Sequence, residues 1–228
     1  MSDVVQVDAG AGGHRREDAA VVASGVTHGQ RAPGIPILSD VSMSALPGEV
    51  VVIEGRSGSG KSTLCQLIAG LEAPDQGSVL VGGVAAVSVR DWARLALLPQ
   101  RLGLPGELTV AENVNLPCWV RGLPERPDLL EAFDLEHLAD NLIGQASRGE
   151  QQRVAIARAA ALGPDVIVLD EPTSHQDEAH AGLVAHQLLE LARAGSAVLV
   201  ATHDPRLVSE ADRVVHLHAG RHRGSPVP

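Results

Sequence analysis

Gly55-Arg56-Ser57-Gly58-Ser59-Gly60-Lys61-Ser62 is the stretch that decides the fold of this chain, and it fits the pattern Gly-x-x-x-x-Gly-Lys-Ser/Thr. A short buried strand is predicted just before it, over Glu49 to Glu54, and a helix just after it, from Thr63 to Ala69. A strand, a glycine-rich loop and a helix in this order are the context in which the pattern binds phosphate.

The residue types of this loop follow from the chemistry of a bound phosphate. Glycine allows φ > 0 and a close approach of the backbone, so that N–H groups and the positive end of the next helix face the anion. Lys61 is expected to contact the β- and γ-phosphates, and the Ser62 hydroxyl to hold Mg²⁺. The other nucleotide contacts predicted in this stretch are Gly55, Ser57, Gly58, Ser59, Gly60 and Thr63. On the pattern alone, an ordinary glycine-rich turn remains the alternative.

The distribution of basic residues supports the phosphate-binding interpretation. Of the 18 Lys and Arg residues, 17 are Arg and one is Lys, and that lysine is Lys61. A compact ammonium on a flexible stem is not equivalent to a planar guanidinium. The one retained lysine therefore marks a position where a point charge is required.

Charge and composition exclude several classes of protein. The net charge is −10 and no run of Lys and Arg is present, which disfavours a nucleic-acid surface. Cys65 and Cys118 lack the spacing of metal ligands and are predicted to be buried thiols in a reducing compartment. No uncharged apolar run reaches the ~18 residues of a membrane span. We expect a cytosolic chain that contacts a membrane only through a partner.

The sequence pattern predicts one domain over residues 19–228, preceded by a loose tail over residues 1–18. Strands are predicted before and after the loop, the first from Ala19 to His28. A helical insert is predicted over about residues 101–160, with Pro117, Pro124 and Pro127 separating its helices. From Val166 onward, strands alternate with helices, which favours a parallel, doubly wound sheet. In such sheets ligands bind at the carboxyl ends of the strands.

Two acids and a histidine fall at such strand ends. Asp170 and Glu171 follow the apolar strand Val166 to Leu169, and His203 follows the strand Ala197 to Ala201. Asp170 is expected to hold Mg²⁺ through water, and Glu171 to orient or deprotonate an attacking water. The alternatives are two acids that only close a strand and a solvated loop histidine.

An ordered set of motifs resembles the ATP-binding-cassette ATPases over nearly all of residues 19–218. The motifs are Gly55 to Ser62, Gln100, Ala146 to Arg153, Asp170 to Ser174, Asp177 and His203-Asp204. The resemblance implies an α/β fold: a P-loop NTPase core with a mostly parallel sheet, an N-terminal antiparallel β subdomain and a helical insert.

The resemblance also implies roles for individual residues. Gln100 would touch Mg²⁺ and report the nucleotide state to the insert, and His203 would contact the γ-phosphate. Ser147, Gly149 and Glu150 belong to the signature loop, which would face the γ-phosphate held by the other protomer. Asp177 would cross the dimer interface, and His28 stands where an adenine-stacking aromatic is expected.

The chain departs from the family pattern in three places. Arg148 replaces a glycine of the signature loop, and no Tyr is present to stack on adenine. The segment Ser174-His175-Gln176-Asp177 retains the Asp but not the usual small apolar residues before it.

Other phosphate-loop classes fit the sequence less well. A GTPase needs an Asn-Lys-x-Asp clamp, whereas the single lysine already lies in the loop. Long heptad arms and a second cassette are also missing. The chain resembles the lipoprotein-release, macrolide-export and cell-division branch, which implies an ATPase that uses ATP and Mg²⁺ and forms a homodimer on the cytoplasmic face of a separate membrane permease. An ATP-gated module that regulates a membrane partner without transport is the alternative.

Overall fold

The computed structural model describes residues 18–32, 34–218 and 221–222. Residues 1–17 of the predicted tail lie outside the described residues. The described strands are β1 (Val21–Ala32), β2 (Ile35–Ala45), β3 (Val50–Glu54), β4 (Gln76–Val81), β5 (Val84–Ala85), β6 (Leu95–Leu98), β7 (Val166–Asp170), β8 (Ala197–Ala201), β9 (Arg213–His218) and β10 (Arg221–His222). The described helices are α1 (Lys61–Ile68), α2 (Val110–Val120), α3 (Pro127–Ala132), α4 (Arg148–Ala160), α5 (Glu178–Arg193) and α6 (Pro205–Glu210). None of these helices has the length and apolar character that a membrane crossing requires.

The strands form two sheets over the described part of the chain. One has the order β10-β9-β3-β8-β7-β6 and is parallel except for β10, which pairs antiparallel with β9. The other has the order β2-β1-β4-β5 and is antiparallel. The predicted fold class, a mostly parallel sheet beside an antiparallel β subdomain, is therefore confirmed.

The parallel sheet is buried on both faces, which explains its nearly continuous apolar strands. Alternate residues belong to different cores: Val51 and Ile53 face α1 and the antiparallel sheet, whereas Val50 and Val52 face the helices on the other side. Each fully buried side chain of this size contributes roughly 1.5–3 kcal/mol. This burial fixes the register, because a slip of one residue would exchange the two faces.

The register brings three strand ends to one level. Ile53 of β3 and Asp170 of β7 both pair with Ala201 of β8. The glycine-rich loop, the acid pair and the segment that holds His203 therefore leave the sheet along the same edge.

The chain between β6 and β7, residues 99–165, is mainly helical where it is regular, with one isolated β-bridge between Thr109 and Leu142, and we call it the helical segment. It contains α2, α3, α4 and short 3₁₀ turns at Glu136–Leu138 and Ile143–Gln145. Thr109 caps α2 through a reciprocal pair of hydrogen bonds with Glu112. The prediction that Pro117 separates helices was wrong, since α2 continues through it. Pro117 is buried, and burial of its ring offsets the hydrogen bond that it removes.

Candidate active site

The glycine-rich loop leaves the start of α1 open to an anion. Gly60, the residue before α1, has φ 101° and supplies no side-chain cap, so the first N–H groups of the helix have no partner within the helix. Gly58 has φ 74°, also in the region that favours glycine. A Cβ on Gly55 would lie 2.5 Å from the Leu217 oxygen and from Ser59 Oγ, so no larger residue fits there.

Lys61 and Ser59 complete this cradle. Lys61 Nζ donates to the backbone oxygen of Gly55 at 2.7 Å, which folds the ammonium back over the loop. Ser59 Oγ is buried and has no hydrogen-bond partner among the described residues. An uncapped helix start, an ammonium and an unpartnered hydroxyl together fit a phosphate chain.

The loop lines a cavity of about 760 Å³, a volume within the usual range of small-molecule sites. We call it the phosphate-loop cavity. Its other lining residues are Arg31, Ile37, Gln100, Asp170, Glu171 and His203, and its loop residues run from Gly55 to Thr63. The structure thus brings together the predicted loop residues, the acid pair, Gln100 and His203.

The acid pair differs in exposure and in backbone conformation. Asp170 ends β7 and is 6% exposed, whereas Glu171 is partly exposed with φ 51°, a left-handed conformation that costs a non-glycine residue about 1–3 kcal/mol. The Glu171 N–H donates to the Ala201 oxygen at 2.8 Å. Its Oε1 lies 3.2 Å from His203 Nδ1. The backbone therefore turns the Glu171 carboxylate toward the exposed histidine at the cavity.

The residues around Ser147 form a second site. Ser147 precedes α4, and its Oγ accepts from the Glu150 N–H at 3.3 Å while Glu150 Oε2 accepts from the Ser147 N–H at 2.6 Å. Burial raises the pKa of Glu150, but hydrogen bonds from Ser147 and the charge of Arg153 outweigh it and lower the pKa overall. This pairing fixes the start of α4.

Ser147, Gly149, Glu150 and Asp177 line a separate hollow of about 490 Å³, which we call the signature hollow. None of these four residues lines the phosphate-loop cavity. A Cβ on Gly149 would lie 2.9 Å from the His175 oxygen, so a glycine is required where α4 meets that loop. Within one chain, the predicted nucleotide-binding residues therefore form two groups that do not meet.

Arg148 lies between these groups. Its side chain is exposed and forms no hydrogen bond or ion pair within the described residues. It lines the signature hollow and also a neighbouring depression that contains Gln100, Glu171 and His203. The residue that replaces the signature glycine thus presents an unpaired positive charge beside the candidate catalytic groups.

The structure does not support the predicted adenine contact of His28. Its side chain is 14% exposed and lies 3.4 Å from Glu72 Oε2 and 3.7 Å from Asp75 Oδ2. It does not line the phosphate-loop cavity. The carboxylates nearest to its imidazole are therefore those of Glu72 and Asp75 rather than any group of the cavity.

Arg31 and Ile37 line the cavity instead, and the sequence analysis missed both. The guanidinium of Arg31 donates to the Gly58 oxygen. The predicted strand ended at His28, whereas β1 continues to Ala32. A strand prediction that extended through Arg31 would have placed this residue beside the loop.

Both cysteines are buried, as predicted. Burial raises the pKa of the Cys65 thiol, and the nearby Asp170 carboxylate raises it further. Cys65 is therefore an uncharged thiol packed behind the loop. No set of three or more His, Cys, Asp or Glu side chains forms a metal site among the residues that the structure describes.

The fold and the site together define a phosphate-loop nucleoside triphosphatase. A model of the ABC transporter family matches residues 38–174. The chain belongs to this family and is an ATP-binding, ATP-hydrolysing subunit of the ABC transporter type.

Relatives and solved structures agree with this family. The lipoprotein-releasing system ATP-binding protein LolD of Granulibacter bethesdensis is 42% identical over 199 residues, which cover 81% of this chain and 87% of LolD. LolD of Bordetella pertussis is 38% identical over 205 residues, covering 82% and 87%. A dimeric ATP-binding cassette, MJ0796, in a post-hydrolysis state bound to ADP and phosphate, has a TM-score of 0.80 at 30% identity, covering 91% of this chain and all of that chain.

Proposed function

We propose that two copies of this chain close on ATP and Mg²⁺ and thereby drive a separate membrane permease of the lipoprotein-release or export type. One observation carries the proposal: the phosphate-loop cavity and the signature hollow share no residue within one chain. A second copy is needed to place Ser147, Gly149 and Asp177 opposite the phosphate loop. The similarity to the LolD proteins and to a dimeric cassette supports it.

The phosphates of ATP would be held by the N–H groups at the start of α1 and by Lys61, with Ser57, Ser59 and Thr63 beside them. Ser62, Gln100 and Asp170 would hold Mg²⁺. Phosphate oxygens and water would supply its other ligands, as is usual for Mg²⁺. The ion would neutralise charge that develops on the phosphates.

Glu171 would act as the base that orients or deprotonates water. Its carboxylate borders the cavity, and its backbone hydrogen bond to Ala201 holds it at the strand edge. His203 contacts Glu171 while its side chain is 81% exposed, so it can also meet the γ-phosphate. In this arrangement His203 fixes the carboxylate, and Glu171 directs the water toward the phosphorus.

The permease would contact a groove of about 720 Å³ between the end of α1 and the helical segment. Leu71 and Trp92 on its rim are 61% and 55% exposed, and Leu102 and Leu116 lie within it. Trp119 and Val120 at the end of α2 are also exposed. These apolar side chains suit a helical element of a membrane partner, and this contact would keep the chain on the inner face of the cell membrane. Residues Thr109 to Trp119 would pass the nucleotide-driven motion to that partner.

The first test is ATP hydrolysis by the wild type beside Glu171→Gln, with size-exclusion chromatography under Mg-ATP. We expect the wild type to hydrolyse ATP and the variant to hydrolyse it at least ~100-fold more slowly, because a general base is removed. The variant should also accumulate as a dimer. A variant that retains its rate, or a chain that stays monomeric with bound Mg-ATP, would overturn the proposal.

Arg148 favours a second candidate, an ATP-gated module that regulates a membrane partner without transport. An arginine at the start of α4 obstructs the close approach of backbone to phosphate that glycine allows. If neither the wild type nor Glu171→Gln hydrolyses ATP with the permease present, this second function is preferred. Transport of a labelled substrate into vesicles, driven by ATP and lost in Glu171→Gln, would exclude it.

A further inference from the structure

His180 lies between two carboxylates that belong to different parts of the fold. Its Nδ1 is 2.8 Å from Oδ2 of Asp177, the residue that caps α5, and its Nε2 is 3.3 Å from Oδ2 of Asp134. Asp134 follows α3 in the helical segment and has φ 52°. The imidazole therefore joins the helical segment to the residue that begins α5.

Gln176 makes a second, more buried link between the same parts. Its Nε2 donates to the Gly149 oxygen at 2.8 Å, and its Oε1 accepts from Arg153 Nη1 at 3.1 Å. Arg153 is 3% exposed and donates through Nε to the Phe133 oxygen at 2.8 Å. Through Gln176, the segment before Asp177 and the start of α4 are held as one unit.

We propose that His180 is a positioning residue of the ATP-bound dimer. It orients Asp177 toward the partner protomer, and its contact with Asp134 makes this orientation depend on the position of the helical segment. The inference rests on the proposed dimer, in which Asp177 crosses the interface. Gln176 fixes the backbone beside Asp177. The Asp177 carboxylate is held by the His180 N–H at Oδ1, 2.9 Å away, and by the His180 imidazole at Oδ2. A shift of the helical segment would then carry Asp177 with it, without any change at the phosphate loop.

The two contacts of His180 require a particular protonation state. A neutral imidazole carries one N–H and can donate to one carboxylate, whereas an imidazolium donates to both. The titratable groups that line the same hollow are Asp134, His137, Arg148, Glu150 and Arg153 of the helical segment, His175 of the loop before α5, and Asp177. Glu178 lies next to Asp177 in the first turn of α5. Donation to both carboxylates at once therefore requires the imidazolium form.

The test measures the Mg-ATP dimer by analytical ultracentrifugation in the Glu171→Gln background, at about pH 6 and about pH 8, on either side of the ordinary imidazole range. We expect His180→Ala to raise the dimer dissociation constant about fivefold at the lower pH, the size of one good exposed ion pair, and less at the higher pH. The matched control is His186→Ala, because His186 lies on the same helix with its side chain 59% exposed and contacts Glu190 instead.

A second variant separates positioning from folding. Asp134→Asn keeps the shape of the side chain and removes one carboxylate, so we expect it to abolish the same pH dependence while the melting temperature and the affinity of the monomer for a fluorescent ATP analogue stay unchanged. A parent protein that forms no dimer at either pH overturns the proposed function, and the inference with it. If the dimer dissociation constant and its pH dependence are the same in the parent, His180→Ala and Asp134→Asn, the role of His180 is overturned while the proposed dimer stands.

Discussion

Gln152 Nε2 donates a hydrogen bond to the backbone oxygen of Glu171 at 3.2 Å. Gln152 is 6% exposed and lies on α4, the helix that Ser147 precedes. The helix that begins at the signature loop is thus tied to the backbone of the candidate catalytic carboxylate. Since Glu171 has a left-handed conformation, this bond helps to hold a residue that would otherwise relax.

Replacement of this glutamine tests whether the bond positions Glu171. We expect Gln152→Leu to lower kcat for ATP hydrolysis about fivefold, which corresponds to the loss of about 1 kcal/mol of hydrogen-bond energy at the site, with little change in KM. Steady-state kinetics will measure both constants. Gln187→Leu is the control, because the Gln187 side chain makes no hydrogen bond within the described chain. Equal kcat values for the two variants would contradict the assignment.

Arg31 and His28 form a matched pair for the nucleotide contact. Arg31→Ala is expected to weaken ATP binding up to about fivefold, the effect of losing one exposed cation near a base or phosphate, because Arg31 lines the phosphate-loop cavity. His28→Ala should leave the affinity unchanged, since His28 contacts Glu72 and Asp75 instead. Fluorescence titration with an ATP analogue will measure both. The reverse order of effects would restore His28 as the base contact.

Gly55 and Gly58 separate two reasons for a glycine. Gly55→Ala would place a Cβ 2.5 Å from the Leu217 oxygen, so we expect a loss of about 1–3 kcal/mol in the free energy of unfolding. A Cβ on Gly58 would have no atom nearby, and only the φ of 74° disfavours it, so we expect Gly58→Ala to lower the free energy of unfolding by about 1 kcal/mol. Urea unfolding will measure both. A larger loss for Gly58→Ala would contradict the steric argument.

The Arg126–Asp128 pair predicts an acid-dependent part of stability. The hydrogen bond from Arg126 holds the pKa of Asp128 below its ordinary value. A lowered pKa contributes stability above the unfolded value of about 3.9, and this contribution is lost as the pH falls through the folded value. Asp128→Asn should therefore cost up to about 1 kcal/mol at neutral pH, since the pair is exposed.

The difference in the free energy of unfolding between the wild type and Asp128→Asn should disappear in acid. Urea unfolding at neutral pH and below about pH 3 will measure it, with Asp140→Asn as the control, because Asp140 has no ion pair in the part of the chain that the structure describes. A gap that persists in acid would show that Asp128 stabilises the fold by another route.

The sheet and the phosphate loop could be predicted because their signals are local. The Val- and Ile-rich strand before Gly55, the glycines and Lys61 all lie within about a dozen residues, and burial on both faces leaves a parallel strand apolar throughout. Asp170 and Glu171 follow from the same rule, since parallel strands end at one edge.

Other features depend on contacts that are distant in sequence. Pro117 lies inside α2 because tertiary burial offsets the local penalty, which a rule based on proline alone does not detect. Arg31 reaches the cavity because β1 continues past His28, with register shifts that the sequence pattern does not reveal. The edge strand β10 has only two residues and gave no signal.

Lys61 is the one lysine among 228 residues, and it lies in the phosphate-loop cavity with its Nζ 2.7 Å from the Gly55 oxygen. A lysine-selective acylating reagent therefore has a single side-chain target in the whole chain. Bound nucleotide would shield that amine, so the extent of acylation at Lys61, read by mass spectrometry of its peptide, would follow the occupancy of the site without an engineered label. The preference for arginine elsewhere leaves the residue proposed to bind phosphate as a chemical reporter of its own ligand.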